Sequence, residues 1–511
     1  MKNKYFYTIT FTLLLFSSVC HSQIINFPDS NFKNALLNHD PIIDLNGDGE
    51  IQVSEAAAFE EEVNVNEKNI TDLTGIGYFT NIIELRCRGN LLTTLDLSQN
   101  SLLFLDCGSN LLTSINVTNN PLWHFWCDNN QLEVLDISFI AELQDLDCSN
   151  NSLTTIDVSN STNLVYFTCD NNALSELDIS NLPKISHVRC ENNLITNLDI
   201  SNSPRLTSVL VSNNQITNLS LSNLPWLRTV DFSNNSLTTL DLSNVPSIEN
   251  FYCSNNQISN INLSNSINLE ILYASENYIN EIDLSNCSEL SELYINNNNL
   301  DEINISDSNI NHLECNNNNL TNLDFDVMLG NGPYYLACEG NQLTYLVLNH
   351  PGVHVLKCAD NPNMLEINMR NHPSNEYMDL SECSFYDLPL LNKVCIDDDP
   401  VNFGLINLIL TQTGHNVDFY TSENCDVLLE TPDNQILPLT ISPNPVKNIL
   451  NINTDYGLKS AQIFNVMGQN VFSEKNLYTN EINVSNLRNG IYFLELTDIE
   501  NNSTIKKFIK D

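Results

Sequence analysis

The chain has 511 residues, with 63 Asp and Glu against 20 Lys and Arg, and its formal net charge is −43. A surface that binds phosphate needs clustered Lys and Arg, so this charge balance excludes nucleic acid and anionic lipid as general partners. Apolar residues make up 42% and charged residues 16% of the sequence. This is enough apolar material for a large core, and the length predicts more than one domain.

Residues 1–22 have the pattern of a secretory signal peptide. Lys2 and Lys4 precede an apolar run, and Ser22 lies just before a plausible cleavage point. The run is too short for a transmembrane helix, and no later segment reaches ~20 uninterrupted apolar residues. We therefore predict an exported chain with no transmembrane segment. Lipidation of Cys20 is the alternative, although Val19 is larger than the residue that normally precedes a lipidated cysteine.

Residues 44–55 match the EF-hand calcium-loop pattern D-x-[DN]-x-[DN]-G-x5-E at every position. The predicted calcium ligands are Asp44, Asn46, Asp48, Glu50 through its carbonyl, Gln52 through a water, and Glu55 with both carboxylate oxygens. Helical patterns over residues 32–37 and 54–62 would complete a helix–loop–helix. We predict a small helical, EF-hand-like N-terminal cap over residues 23–65, with calcium as a structural cofactor. The alternative is a chance Asp/Asn/Gly-rich turn.

The middle of the chain repeats with a period of 20 to 21 residues, which indicates a stacked solenoid. Segments such as LDCGSNLLTSINV and LDCSNNSLTTIDV share the pattern LxxLxCxxNxLxxLDL, and about fourteen units lie within residues 66–372. Apolar residues two apart face one side of a strand, so each coil should form two short strands on opposite walls. An Asn lies three residues after every Cys-equivalent position, from Asn90 to Asn361. Its amide should hydrogen-bond backbone groups of neighbouring coils, which would explain part of the asparagine excess, 85 residues in all.

These units resemble bacterial leucine-rich repeats, specifically the 21-residue class called IRREKO, over about residues 80–370. The resemblance implies a mainly β solenoid with two short strands per coil. The departures from the consensus are a 23-residue step from Cys315 to Cys338 and four residues at the Cys position, Val211, Phe232, Ala274 and Ile295. We expect drift and one surface insertion, without a change of fold.

Fifteen cysteines in an exported chain would ordinarily suggest disulfides. Ten of them occupy the core position of the repeat, however, where coils stack ~4.8 Å apart with parallel side-chain directions. We expect these ten to be free, buried thiols. Cys383, Cys395 and Cys425 lie beyond the repeat, in residues 373–429, which should cap the last coil. We predict a disulfide between Cys395 and Cys425.

Aromatic side chains recur at outward positions next to and within the first strand of the coils. The predicted ligand-binding face comprises Phe104, Trp123, His124, Trp126, Tyr166, Tyr252, Tyr273 and Tyr294. Tyr and Trp supply much of the energy of interfaces, and their rings also stack on sugars. The alternative is that the aromatic residues only stabilise the sheet. On the opposite wall a row of aspartates is predicted to be a solvated face and not a row of cation sites.

No catalytic arrangement is evident from the sequence. The nine histidines are scattered, and the GxSxG, HExxH and phosphate-loop motifs are absent. We therefore predict a non-enzymatic secreted or cell-surface protein that binds a protein or carbohydrate partner non-covalently on the solenoid face. Two alternatives stay open: a structural surface or matrix component without a specific ligand, and an accessory binding module for polysaccharide degradation.

Residues 438–511 are predicted to form a separate domain after a linker at 430–437. Seven basic and seven acidic residues balance within residues 436–511, so the negative charge lies upstream. Short alternating runs separated by glycines predict a small Ig-like β-sandwich.

This domain resembles the type A C-terminal sorting domain of the type IX secretion system. The segments that carry the resemblance are SPNPV, NVMGQNV, NLRNGIYFLEL and KKFIK. The matching positions include Pro443, Asn444, Pro445, Gly468, Gly490, Tyr492 and Lys507. The resemblance implies export by the type IX secretion machinery of a Bacteroidota-type bacterium, usually with removal of this domain at the cell surface.

Overall fold

The computed structural model of the chain folds as two compact units, Met1–Phe419 and Tyr420–Asp511. The described residues are 23–180, 182–201, 203–305, 308–323, 325, 332–348, 353–369, 378–396, 403–420, 439–443, 445–454, 458–465, 470–475, 480–498 and 503–511. The predicted signal peptide and the linker at 430–437 lie outside them.

Short strands dominate the first unit, with a few helices at its ends. The helices in its described part are α1 (Ser30–Leu37), α2 (Val53–Ala58), a 3-10 turn (Ile76–Tyr78) and α3 (Phe403–Thr413). The strands are β1 (Val63–Asn64), β2 (Glu84–Arg86), β3 (Thr94–Asp96), β4 (Phe104–Asp106), β5 (Ser114–Asn116), β6 (His124–Trp126), β7 (Asp145–Asp147), β8 (Tyr166–Thr168), β9 (Leu177–Asp178), β10 (His187–Arg189), β11 (Leu198–Asp199), β12 (Ser208–Leu210), β13 (Thr229–Asp231), β14 (Thr239–Asp241), β15 (Asn250–Tyr252), β16 (Asn260–Asn262), β17 (Ile271–Tyr273), β18 (Glu292–Tyr294), β19 (His312–Glu314), β20 (Tyr335–Ala337), β21 (Tyr345–Val347), β22 (Val355–Lys357), β23 (Glu366–Asn368), β24 (Lys393–Cys395) and β25 (Asp418–Tyr420).

Fifteen of these strands form one parallel sheet, which we call the first wall. Its order is β1-β2-β4-β6-β7-β8-β10-β12-β13-β15-β17-β18-β19-β20-β22. Paired strands are in direct register, so that Tyr252 pairs with Tyr273 and Tyr273 with Tyr294. The central residue of each strand, such as Phe125 or Phe251, is buried, and the residues on either side point outward because side chains alternate along a strand. Residues at one repeat position therefore form a column along the wall.

The second wall is less continuous than the sequence predicted. Its strands pair only as β3-β5, β9-β11, β14-β16 and β21-β23-β24-β25 among the described residues. The other coils keep a buried apolar residue here, such as Leu135, without a strand. The prediction of two strands per coil is therefore confirmed for some coils, while the rest pass the second wall as extended turns.

The solenoid continues by one coil beyond each end of the consensus repeat. At the N-terminus, β1 pairs with β2, and Val65 lies at the Cys-equivalent position with no exposed surface. At the C-terminus, Lys357 pairs with Ser384 in a parallel bridge and β24 pairs with β23. Parallel pairing thus extends past residue 372, into the segment predicted as a cap.

The repeated asparagine of each coil forms a hydrogen-bonded ladder inside the solenoid. Asn110 shows the pattern: its Nδ2 donates to the Cys87 and Cys107 carbonyls, both at 3.0 Å, and its Oδ1 accepts from the Leu92 N–H at 3.1 Å. The fourteen ladder residues from Asn90 to Asn361 repeat these contacts. The predicted ladder is confirmed, and it joins each coil to the preceding one.

A second column of asparagines lies directly before the ladder and serves the backbone. Asn129, Asn150, Asn171 and their counterparts have φ between 53° and 57°, a left-handed conformation that Asn tolerates better than most residues. Glycine takes the position at Gly89 and Gly340. This requirement explains a further part of the asparagine excess, beyond the part that the sequence analysis assigned to the ladder.

The repeat cysteines are free and buried, as predicted. Twelve described cysteines are free thiols, among them Cys287 and Cys383 outside the core column. Burial raises the pKa of Cys315 to about 12, and it raises the pKa of Cys107 and Cys338 as well. These thiols remain protonated at neutral pH and pack as small apolar groups.

The second unit is a small antiparallel β-sandwich. Its strands are β26 (Leu439–Ser442), β27 (Ile449–Thr454), β28 (Leu458–Asn465), β29 (Asn470–Lys475), β30 (Glu481–Asn483), β31 (Gly490–Asp498) and β32 (Ser503–Lys510). They form the sheets β26-β27-β30 and β29-β28-β31-β32. Leu450 of the first sheet and Ile463 and Leu494 of the second are fully buried in one core, which is the predicted architecture.

The ladder predicts a specific stability loss. We expect Asn214→Ala to lower the free energy of unfolding by ~1–3 kcal/mol, because it leaves the buried Ile195 N–H without its side-chain acceptor and removes one of the two amide donors to each of the Cys190 and Val211 carbonyls. Asn218→Ala is the matched control, since this exposed amide bonds only the Thr217 hydroxyl among the described residues. Urea denaturation followed by circular dichroism measures both variants. Equal losses in the two would contradict the ladder's role.

Candidate functional site

Five aromatic rings stack along the outward face of five consecutive strands of the first wall. Ring centroids are 5.0 Å apart for Tyr252 and Tyr273, and 4.0 Å apart for Tyr273 and Tyr294. The stack continues to His312 at 4.7 Å and from His312 to Tyr335 at 4.3 Å. We call these five residues the aromatic column.

The aromatic column changes repeat position part-way along the wall. Its tyrosines as far as Tyr294 lie one residue before the Cys-equivalent position, whereas His312 and Tyr335 lie three before it. Both positions face outward, so a ring in one coil reaches the neighbouring position in the next. The sequence prediction therefore found three of the five rings and omitted His312 and Tyr335 from the binding face. Their position three residues before the Cys-equivalent residue could have revealed them, because this position faces the same side of the wall.

The rings of the column face outward, as predicted, but they are half-buried. Each ring covers its neighbours, and the Tyr294 hydroxyl donates to Glu292 Oε2 at 3.3 Å. Burial, together with the neighbouring Tyr273 and Glu292, raises the pKa of Tyr294. Burial and Tyr273 likewise raise the pKa of Tyr252. The phenols stay neutral at physiological pH and offer an amphipathic stripe of ring edges and hydroxyls.

The predicted aromatic residues nearer the N-terminus form smaller groups with polar tethers. Phe104 contacts the His124 and Trp126 rings at centroid distances of 5.7 and 5.0 Å. Trp126 Nε1 donates to Asp145 Oδ2 at 3.1 Å, and the Arg86 guanidinium lies 5.1 Å from the Phe104 centroid. These side chains are largely engaged with each other.

Trp123 and Tyr166 are the more exposed members of the predicted face. Trp123 is 44% exposed and Tyr166 is 50% exposed. Tyr166 stacks on His187 at 5.1 Å. The structure thus divides the eight predicted residues between separate groups, and only the tyrosines from Tyr252 onward belong to the continuous column.

Buried carboxylates occupy the same wall between these groups. Arg88 bridges Asp106 and Asp128, whose side chains are 8% and 6% exposed, at 3.0 and 2.5 Å. Burial raises the pKa of Asp147, against the opposing hydrogen bonds from Ser149. Burial also raises the pKa of Asp170, which pairs with Arg189 at 3.1 Å. Direct register places these like charges on successive coils, and sequence reasoning did not identify them.

The predicted calcium loop closes on its own carboxylates. Asp44 accepts from the Gly47 and Gly49 N–H groups at 2.8 and 2.9 Å. Glu55 Oε1 accepts from the Leu45 and Asn46 N–H groups at 3.0 and 3.2 Å. The N–H of Glu50 donates to Asp48 and is the main cause of a lowered pKa of that carboxyl. The predicted ligand side chains therefore face the loop interior.

The helices around the loop agree with the prediction except at the end of the second one. α1 ends at Leu37, seven residues before Asp44, and α2 ends at Ala58 instead of residue 62. The helix predicted over residues 32–37 is therefore confirmed, whereas the helix predicted over residues 54–62 is shorter than expected. Among the described residues, no group of three or more His, Cys, Asp and Glu is gathered closely enough to hold a metal ion. The oxygen donors suit calcium chemically, but the carboxylates are spread around the loop.

The N-terminal segment pairs with the end of this loop. Ile24 forms an antiparallel bridge with Gln52, and the Ile25 N–H donates to the Ile51 carbonyl at 3.0 Å. Ile51 is fully buried. Backbone groups at the end of the loop are therefore hydrogen-bonded within the N-terminal cap. The apolar side chains of the cap belong to the same core as those of the solenoid.

The aspartates of the second wall form turns. Asp96, Asp136, Asp157, Asp178, Asp199, Asp241 and Asp283 are exposed, and each accepts from the N–H two residues ahead. Asp324 lies outside the described residues. The Ser159 hydroxyl and N–H lower the pKa of Asp157, and Ser138 does the same for Asp136. This row has a backbone role that agrees with the predicted solvated face.

Several predicted residues lie in the terminal segments. Cys395 is disulfide-bonded, whereas its predicted partner Cys425 lies outside the described residues, as do Asn444 and Gly468 of the sorting motif. Pro443 follows β26, and Pro445 lies next to the bridge between Val446 and Lys510. Gly490 begins β31, Tyr492 is 8% exposed with its hydroxyl on the Arg488 carbonyl at 3.0 Å, and Lys507 is exposed on β32.

Comparisons with known proteins identify both units. Residues 440–511 match the family model described as the secretion system C-terminal sorting domain. The functional domain of InlJ from Listeria monocytogenes, which includes a cysteine ladder, is 23% identical with a TM-score of 0.59, covering 96% of this chain and 98% of that one. The chain is a leucine-rich-repeat solenoid that ends in a type IX sorting domain. This sorting domain directs it to the cell surface or beyond.

Other solved structures are more distant. An internalin, InlF, of Listeria monocytogenes is 25% identical with a TM-score of 0.49, covering 60% of this chain and 95% of its own. A leucine-rich-repeat protein of Leptospira interrogans is 17% identical with a TM-score of 0.46, covering 72% and 97%. A comparison with curated protein sequences finds no significant match. In the described part of the chain, no helix is long and apolar enough to cross a membrane.

The two kinds of aspartate predict opposite effects of pH. The folded pKa of Asp147 is raised, so its ionisation destabilises the fold as pH rises above the unfolded value of about 3.9. We expect Asp147→Asn, which keeps an oxygen for Ser149, to be more stable than wild type at pH 7 and equal to it at strongly acidic pH.

Asp157→Asn is the matched control, because the folded pKa of Asp157 is lowered. Its stabilisation is present above the unfolded pKa and is lost as pH falls. We expect this variant to be less stable than wild type at pH 7, with the difference disappearing in acid. Urea midpoints measured from pH 3 to pH 8 give both curves, and curves of the same sign would contradict the assignment.

Proposed function

We propose that the exported solenoid is a binding protein that recognises a protein partner through its aromatic column. The observation that supports this is the unbroken stack from Tyr252 to Tyr335, with centroid separations between 4.0 and 5.0 Å. Four coil steps of ~4.8 Å make it ~19 Å long, a length suited to the central anchor of an interface.

The stacking prepares the rings for binding. A ring that is already held between two neighbours loses little side-chain freedom when a partner covers it. Its hydroxyls and outer edge remain available to the partner, because each ring is only half-buried. Glu292 and Glu314 beside the column, and Lys357 over the Tyr335 ring at 5.3 Å, add charges that select the partner's orientation.

Binding to an array of purified extracellular proteins and neutral glycans tests this proposal. We expect the exported chain to bind specific proteins, and the triple variant Tyr252→Ala, Tyr273→Ala, Tyr294→Ala to lose at least roughly 100-fold in affinity, since central aromatic anchors each contribute about 2 kcal/mol or more. Tyr345→Ala is the control, because this tyrosine is 46% exposed on the second wall.

Loss of stacking could also weaken the sheet, so stability is measured beside binding. Tyr273→Leu keeps apolar volume in the column and removes the aromatic ring, and it should lose affinity with little change in melting temperature. A triple variant that melts lower but binds every ligand of the wild type would instead favour a purely structural column. Binding confined to neutral glycans would replace the protein partner with a carbohydrate.

We also propose that calcium binds the loop formed by residues 44–55 and stabilises the N-terminal cap. The oxygens of Asp44, Asn46, Asp48 and Glu55 would hold the ion, together with the Glu50 carbonyl. The inward direction of these side chains supports the proposal, and calcium would draw the spread carboxylates together. The ion would offset their mutual repulsion and thereby tie α2 to the loop.

Thermal unfolding in calcium and in chelator tests the calcium proposal. We expect calcium to raise the melting temperature of the exported chain and Glu55→Gln to abolish that rise, because the variant loses the charge but keeps oxygen and nitrogen for hydrogen bonding. Asp72→Asn is the control, a partly exposed aspartate that accepts from the Thr74 N–H and lies outside the loop. A melting temperature that is identical in calcium and chelator would refute this part of the proposal.

A further inference from the structure

A row of side chains follows the loop edge that leads into the first wall, away from the aromatic column. Its members each lie three residues before a paired residue of β8, β10, β12, β13, β15 and β17, and these strands are in direct register. We call this set the edge row: Asn163, Lys184, Arg205, Trp226, Ser247 and Asn268. Successive members are one coil step, ~4.8 Å, apart along the backbone.

The outer members of the edge row join one coil to the preceding coil. Ser247 Oγ donates to the Pro225 carbonyl at 2.6 Å, and Asn268 Nδ2 donates to the Pro246 carbonyl at 2.7 Å. Asn163 Nδ2 donates to the Ala141 carbonyl at 3.3 Å. Small polar residues therefore have a structural role at this position.

The three central members do not bond a backbone carbonyl of the preceding coil among the described residues, although Lys184 contacts the Asn163 side chain there. Lys184, Arg205 and Trp226 are exposed, and Trp226 is 59% exposed, a large apolar surface for one side chain. Lys184 Nζ donates only to the side chain of Asn163, and no hydrogen bond is formed by the Arg205 guanidinium or the Trp226 indole with any described residue. Three consecutive coils thus replace small joining residues with large ones that remain directed to solvent.

Among the described residues, few cations lack an acidic partner, and two of these few lie in the edge row. Only eleven Lys and Arg occur between residues 23 and 435, and seven of them form ion pairs: Lys33, Arg86, Arg88, Arg189, Arg228, Lys357 and Lys393. Lys184 and Arg205 form none with the described residues. Two unpaired cations on adjacent coils repel each other, and an anion between them would relieve that repulsion.

A second row completes the surface. Ser186, Thr207 and Arg228 lie two residues further along the same three coils, and the Ser186 and Thr207 hydroxyls are 3.1 Å apart. Arg228 pairs with Glu249 at 3.1 Å while its side chain stays 56% exposed. Pro183, Pro204 and Pro225 immediately precede the edge row and restrict its backbone. The surface therefore offers cations, hydroxyls and one indole face on a rigid edge.

We propose that Lys184, Arg205 and Trp226 form a binding site for an anionic polysaccharide that runs along the edge row. The carboxylate or sulfate groups of the polymer pair with Lys184 and Arg205, and a sugar ring stacks on Trp226. The site is one residue wide and ~10 Å long, which fits a few units of a linear chain. A protein interface needs roughly 800 Å² on each partner, far more than this row presents.

The negative charge of the whole chain does not prevent this binding. At physiological ionic strength, charges further away than the Debye length of ~8 Å are largely screened. The nearest acidic side chain at this position is Glu142, which accepts from Asn163 Nδ2 at 2.8 Å and lies two coil steps, ~10 Å, from Lys184. A ligand that runs from Lys184 to Trp226 therefore leads away from Glu142 and passes mainly over the cations. Binding should weaken as salt is added, since each ion pair that forms at an exposed site is screened by salt.

Binding of the exported full chain to immobilised polysaccharides tests the proposal. The probes are polygalacturonate, which carries carboxylates, dextran sulfate, which carries sulfates, and neutral dextran. We expect one or both polyanions to bind and neutral dextran not to bind. Arg205→Ala and Trp226→Ala should each lower the affinity by roughly tenfold or more, the effect of losing a charged hydrogen bond or a stacking ring.

Lys68→Ala is the matched control, because Lys68 is exposed and forms no ion pair with the described residues. It removes the same charge elsewhere and should leave the affinity within about twofold of wild type, as surface charges away from a site contribute little. Trp226 also gives a direct signal: polyanion binding should change tryptophan fluorescence in wild type and not in Trp226→Ala. Comparison of the two polyanions distinguishes carboxylate from sulfate recognition.

The proposal is overturned if neither polyanion binds, or if Arg205→Ala and Lys68→Ala have equal effects. Binding of poly-glutamate that needs Arg205 but not Trp226, without binding of polysaccharide, would assign the row to acidic protein segments instead. Loss of polyanion binding in the Tyr252/Tyr273/Tyr294 triple variant alone would place the ligand on the aromatic column. The two proposals therefore fail separately.

Discussion

The hydrogen bonding of one buried amide per coil is the interaction on which the solenoid depends. Where each coil turns from the first wall towards the second, backbone groups leave the sheet and lose their strand partners. The ladder Asn of that coil, such as Asn110, donates to carbonyls of its own coil and of the coil before, and accepts an N–H from the latter. An unsatisfied backbone group there would cost about as much as a hydrogen bond contributes. Asn suits this position because its amide has two N–H donors and one acceptor oxygen, whereas a protonated Asp of the same size has only one donor.

Direct register is the consequence of that ladder, and it turns sequence columns into columns in space. Identical offsets from Cys-equivalent positions become neighbours one coil step apart. The result is favourable for aromatic rings, which stack from Tyr252 to Tyr335. It is costly for carboxylates, which is why Arg88 and Arg189 lie among the buried aspartates of the first wall. On the second wall, Asn116 donates to Asp96 and Asn262 donates to Asp241 across adjacent coils, which separates like charges.

The ends of the solenoid solve a different problem, since a terminal coil has no neighbour on one side. At the N-terminus, α1 and α2 cover the first coil, and Ile24 forms an antiparallel bridge with Gln52 in the segment of residues 44–55. At the C-terminus, the parallel pairing continues to Ser384 and β24 before α3 follows. In both places the apolar residues join the single core that runs through the first unit. Capping of this kind protects the exposed edges of repeat proteins.

Much of this architecture could be predicted because the same pattern of apolar and polar residues recurs in every unit of the repeat. The period, the apolar alternation and the Asn three residues after each Cys-equivalent position specified the solenoid, the ladder and the free cysteines. The sandwich followed from short alternating runs between glycines. The sequence did not reveal that the residue before the ladder needs a left-handed backbone, because Asn at Asn129 and Asn150 looked the same as ladder Asn until φ was known.

The sequence alone therefore determined the features that recur in every coil. These are the residues that are buried, the wall that each residue faces, and the residues that share a column. Only the tertiary structure decided the contacts between different columns. His312 joins the tyrosine stack because two outward positions become diagonal neighbours on adjacent coils. Ion pairing similarly occupies Arg228 but not Arg205, although both precede neighbouring strands. Such contacts depend on side-chain reach across the coil spacing, a three-dimensional distance that no interval in the sequence specifies.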